Sequence, residues 1–106
     1  MTGRIEQLKL HLQSRPNDPF LRYAIGIELK NENRLTEALG TLQSLAQDCP
    51  AYVPTYYHLG QVLEALSRPE EALAIYEQGI DRASQAKDAH AAEELTRAAT
   101  MVRDLL

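Results

Sequence analysis

Shifting the chain against itself by 34 residues superposes Tyr23 on Tyr57, Gly26 on Gly60, Leu29 on Leu63 and Arg34 on Arg68. The same shift lays Glu37-Ala38-Leu39 on Glu71-Ala72-Leu73. A chain that repeats its packing positions at this interval has to stack like units, because one unit alone cannot bury its own apolar face. Within a unit the spacing is helical. Tyr56, Leu59, Gly60 and Leu63 fall three, four and seven apart, which gathers them on one face of a 3.6-residue helix. Gly60 in that stripe costs about 1 kcal/mol against alanine, so the pattern predicts that another backbone comes close there. Ala72 and Tyr76 on the following helix offer a small residue and a ring, one turn apart, to interdigitate with it.

The joint between these two helices is Ser67-Arg68-Pro69-Glu70. Serine followed three residues later by glutamate predicts a capping box, and Pro69 suits a first helical turn. One helix should therefore end near Leu66 and the next begin at Arg68. Carried along the chain, the same reasoning predicts an all-α fold of about six helices forming a single domain over residues 1–106. Residues 1–16 give a first helix with Ile5, Leu8 and Leu12 on one face. These lie one interval before Leu39, Leu42 and Ala46, so this helix reads as half a unit. Residues 19–52 form the first full unit, capped by Asn17 or Asp18, with one helix to about Glu32 and its partner from about Arg34 to Asp48. Residues 53–86 form the second unit, whose back helix runs on through Ile80 and Ala83. Residues 88–106 form a closing helix of about 17 residues capped by Asp88. Its apolar face is Ala92, Leu95, Ala99 and Val102, with Ala98 and Leu105 alongside, and its outer face is polar, as the end of a stack requires.

The pattern resembles the tetratricopeptide repeat family, in the form of a small two-repeat protein of the bacterial type. The second unit carries Tyr56, Leu59-Gly60, Leu63, Ala72, Tyr76 and Gly79 in the family's slots, with Ser84 where a closing proline would stand. The first carries Ile25-Gly26, Leu29, Ala38, Leu42, Leu45 and Pro50, with Arg22 in the aromatic slot. The resemblance implies antiparallel helix pairs stacked as a short right-handed superhelix. It also implies a concave groove that binds a peptide or protein segment and does no chemistry. Some relatives grip the terminal carboxylate of heat-shock chaperones with lysines, asparagines and an arginine. Tyr23, Ile27 and His58 occupy positions where that clamp needs lysine and asparagine, so the clamp is absent.

On this chain the groove positions are Phe20, Tyr23, Ala24, Ile27, Lys30 and Asn31 in the first unit. Tyr57, His58, Gln61 and Glu64 follow in the second, and Glu94 and Arg97 on the last helix. Phe20, Tyr23, Ile27 and Tyr57 make an apolar strip with three readings. The two tyrosines stack and seal the core edge, or the strip anchors a peptide, or a second copy pairs with it as a homodimer.

Charge narrows the partner. A net charge of −4 and a pI near 5.3 argue against nucleic acid or an anionic membrane surface, which need a basic face. The one cysteine, Cys49, excludes an internal disulfide and suits a reducing, cytoplasmic setting. Met1-Thr2-Gly3-Arg4 starts no apolar run that would serve as an address, and no stretch reaches the roughly 20 apolar residues of a membrane span. His90 and Glu94 share a helix face, but two ligands do not make a metal site. Neither a phosphate loop nor a nucleophile motif is present, so no cofactor and no enzymatic activity are expected.

Overall fold

In the computed structural model residues 3–106 are described; the reading of Met1 and Thr2 as no address lies outside them. Six helices run in order: α1 Arg4–Ser14, α2 Pro19–Asn31, α3 Leu35–Asp48, α4 Pro54–Ala65, α5 Pro69–Gln85 and α6 Ala89–Leu105. No strand occurs among the described residues. Local chemistry sets the starts. Three helices open on proline, where the missing N–H has no helical partner to lose. The Asp18 carboxylate accepts from the backbone N–H of Phe20 at 2.9 Å and caps α2, and Asp88 accepts from Ala91 at 3.0 Å and caps α6.

The predicted capping box at Ser67 does not form. Ser67 instead sits in the left-handed region at φ 60° and closes α4. Its N–H bonds the Glu64 carbonyl while the Arg68 N–H bonds the Leu63 carbonyl, the paired pattern of a Schellman motif. Asn33 at φ 61° ends α2 and Lys87 at φ 57° ends α5 in the same way. The side chain that braces the start of α5 is Arg68. Its guanidinium forks onto both oxygens of Glu71 at 2.5 and 2.7 Å, and Arg34 does the same to Glu37 at 2.8 Å twice. Those two forks are 34 residues apart, so the interval of the sequence reappears as geometry.

Packing follows the same interval. A Cβ on Gly26 would lie 2.5 Å from Leu42 Cδ2, and one on Gly60 would land on the ring carbons of Tyr76. What approaches each glycine is thus a large side chain from the partner helix rather than the expected backbone. The reciprocal fit occurs in the second pair alone: a Cβ on Gly79 would lie 2.6 Å from Tyr56 Cβ and 3.0 Å from Leu95 Cδ1. In the first pair Leu45 and Arg22 hold those slots. The Arg22 guanidinium turns outward to Ser44 Oγ and to Asp48, each at 2.9 Å.

Each helix packs on the next, through α1, α2, α3, α4, α5 and α6. In addition α2 touches α4 and α4 touches α6, whereas no Cα of α3 comes within 8 Å of α1 or α5. The even-numbered helices are therefore closer together than the odd-numbered ones. The stack curves with α2, α4 and α6 on its inner wall. The core runs unbroken from Ile5 and Leu8 in α1 to Leu95, Ala99 and Val102 in α6. Leu105 is a correction to the closing face. It is 81% exposed and adds nothing to the buried face formed by Leu95, Ala99 and Val102.

Candidate functional site

The inner wall carries a row of rings. From Phe20 the centroid separations are 6.5 Å to Tyr23, 5.5 Å from Tyr23 to His58, 5.4 Å from His58 to Tyr57 and 6.4 Å from Tyr57 to Tyr76. Tyr52, from the loop before α4, meets Tyr23 edge-on at 5.8 Å. The geometry around His58 is tilted to edge-on throughout, the arrangement that ring quadrupoles favour.

Two hollows open beside this row, between α4 and α6. The smaller, about 170 Å³, has Tyr23, Tyr57, His58 and Glu94 among its walls, with Pro54 and His90 at its end. The larger, about 300 Å³, is walled by Tyr57, Gln61, Glu64, Glu94 and Arg97, with Tyr76 and Met101 completing it. Tyr57 and Glu94 belong to both, so the hollows adjoin across one ring and one carboxylate.

Seven of the predicted groove positions therefore line the hollows: Tyr23, Tyr57, His58, Gln61, Glu64, Glu94 and Arg97. Phe20 stands at the rim, 57% exposed. Ala24 and Ile27 are half-buried and line neither hollow, and Asn31 is exposed. Lys30 is spent on its neighbours. Its ammonium lies 2.9 Å from His58 Nδ1 and donates to Gln61 Oε1 at 2.5 Å. No carboxylate pairs with it among the described residues. Desolvation holds the Lys30 pKa below its ordinary value. Burial, with the adjacent Lys30 charge, pushes His58 down to about 4. His58 is therefore neutral at pH 7 and accepts through Nδ1.

Sequence reasoning missed Met101, Tyr76 and His90 as wall residues of the hollows, and Tyr52 as a ring set against Tyr23. Tyr76 was legible as a core ring, and its spacing gave no sign that the hydroxyl passes through to the inner side. There it donates to Glu64, and burial, reinforced by that carboxylate, raises its pKa. Burial likewise raises Tyr23, with smaller contributions from Tyr52 and Glu94. These rings act as neutral hydrogen-bonding surfaces.

No group of three or more His, Cys, Asp or Glu is placed to hold a metal among the described residues. Among the described residues no helix is long and apolar enough to cross a membrane. Cys49 is free and half-buried at the end of α3.

No protein-family model matches the sequence, and no curated protein does. Solved structures do match. A solution structure of a tetratricopeptide repeat domain protein from Salinibacter ruber is 36% identical, with a TM-score of 0.81, over 86% of this chain and 92% of that one. A crystal structure of a tetratricopeptide repeat domain protein from the same organism is also 36% identical, with a TM-score of 0.80, over 84% and 100%. A protein from Bordetella parapertussis, 21% identical with a TM-score of 0.84 over 98% and 90%, shares the fold. Glycines set against a large side chain one interval apart, Gly26 on Leu42 and Gly60 on Tyr76, an inner wall of alternate helices and this degree of likeness agree. The chain belongs to the tetratricopeptide repeat family.

Proposed function

We propose that the chain is a non-enzymatic interaction module that binds a peptide or protein segment along its inner wall. The observation that carries this reading is the pair of hollows joined across Tyr57 and Glu94 and edged by a row of rings. Aromatic side chains exposed on a concave face lose little entropy on binding and give up much apolar area to a partner. The polar groups between them are mostly committed already: Lys30 to His58 and Gln61, and Tyr76 to Glu64. A committed polar wall fixes the orientation of an extended chain and carries no group poised for general acid or base work. The single free thiol fits action in a reducing compartment such as the cytoplasm.

The test is capture from a native extract with the intact chain and with Tyr23→Ala and Tyr57→Ala together. Loss of the captured protein, with the helical circular dichroism signal unchanged, supports the assignment. Capture that is unaffected by both substitutions rejects it.

A further inference from the structure

The ammonium of Lys30 lies 2.9 Å from His58 Nδ1 and donates to Gln61 Oε1. An ammonium carries donors and no acceptor, so Nδ1 presents its lone pair and the proton of the neutral imidazole sits on Nε2. That Nε2–H has no partner in the chain among the described residues. It is not sealed in, because Thr55 Oγ1 is the one fully buried side-chain nitrogen or oxygen there that lacks a partner. The imidazole forms part of the wall of the smaller hollow, with Tyr23 at 5.5 Å and Tyr57 at 5.4 Å between centroids. The inner wall therefore holds a donor that a lysine behind the ring keeps in place and that nothing in the chain uses.

Charge narrows what can take this donor. Lys30, against the other nitrogen of the same ring, repels a cation. Asp88 and Glu94 in the walls repel a carboxylate, and the net charge of −4 adds to that repulsion. A neutral acceptor remains. A carboxamide suits the walls best, because its oxygen accepts from an N–H while its NH2 donates to a carboxylate. Glu94 stands close enough to Tyr23, the ring beside His58, for its charge to help burial raise that phenol's pKa. Donor and carboxylate thus adjoin the same ring.

We infer that the smaller hollow takes a glutamine or asparagine side chain of the partner peptide, its carbonyl oxygen accepting from His58 Nε2–H and its amide donating to Glu94. This rests on the groove reading above and adds the chemistry of what enters it. The hollow, about 170 Å³, has room for one such side chain, whose methylene stem lies against the rings of Tyr23 and Tyr57.

The test is NMR on the isotope-labelled full chain. In the free chain at pH 7 the imidazole nitrogen–proton correlations should show His58 protonated at Nε2, and a proton on Nδ1 overturns the proposal. The probes are short, acetylated and amidated alanine-based peptides that differ at one central position, glutamine, methionine or glutamate, three side chains of similar length. The glutamine peptide is expected to bind about fivefold more tightly than the methionine peptide, the size of one neutral hydrogen bond. It should also outbind the glutamate peptide, and it should shift His58 Nε2 together with the amides of Tyr57 and Glu94. His58→Phe keeps a ring and removes the donor, so it should erase the preference over methionine. Equal binding of the glutamine and methionine peptides, or a preference that survives His58→Phe, overturns the carboxamide assignment while leaving the groove. So does a glutamate peptide that binds as well as the glutamine peptide, or the absence of any shift with the glutamine peptide. The groove itself stands or falls on the tyrosine capture experiment.

Discussion

At Gly60 the absent side chain is replaced by the ring of Tyr76, so any added carbon has to displace a buried aromatic from between two helices. Gly60→Ala is expected to cost roughly 1–3 kcal/mol, measured by urea unfolding. Gly40 is the control. It is exposed on α3 with nothing within 4 Å of a built Cβ, so Gly40→Ala should stabilise by about 0.5–1 kcal/mol through helix propensity alone. A similar loss at both positions would contradict the packing account. His58 gives a prediction in pH. Its folded pKa of about 4 lies below its unfolded value near 6.5, so the unfolded chain binds the extra proton first. The stability due to neutral His58 is complete above about pH 6.5 and is lost as pH falls through 4. A His58→Gln variant should show a flatter stability profile across that window.

Helix ends show where local sequence and local structure part company. Ser67-x-x-Glu70 spells a capping box, yet Ser67 closes the preceding helix because the joint has too few residues to do both jobs. The carbonyls of α4 are satisfied first. A serine in the left-handed region carries a Cβ penalty, so Ser67→Gly should raise stability by about 1 kcal/mol, read from the unfolding midpoint. A drop would favour the capping-box geometry instead. The helices themselves were legible: the apolar spacing, the prolines at first turns and the aspartates Asp18 and Asp88 each mark a start that the structure keeps. The Arg34–Glu37 and Arg68–Glu71 forks were visible only as unexplained identities at the repeat interval. Nothing in a one-dimensional pattern tells that arginine and glutamate three apart will bridge a helix start.

For the molecule as a whole, curvature decides what surface is available. Close approach of α2 to α4 and of α4 to α6, without matching approach among α1, α3 and α5, turns one side of the stack inward. Interval arithmetic placed Tyr57, His58 and Gln61 on that side, since inner-helix positions recur with the repeat, whereas Glu94 falls on the Gly60 slot at the strict interval and was assigned there only through the resemblance. The interval could not place Tyr52, which arrives from a loop, or the Tyr76 hydroxyl, which arrives from an outer helix. The central claim is that binding takes place on the inner wall. Hydrogen–deuterium exchange on the chain with and without its captured partner tests this directly. The account predicts that added protection is concentrated in α4 and α6 around Tyr57, Gln61 and Glu94. Protection confined to α1, α3 and the outer face of α5 would contradict it.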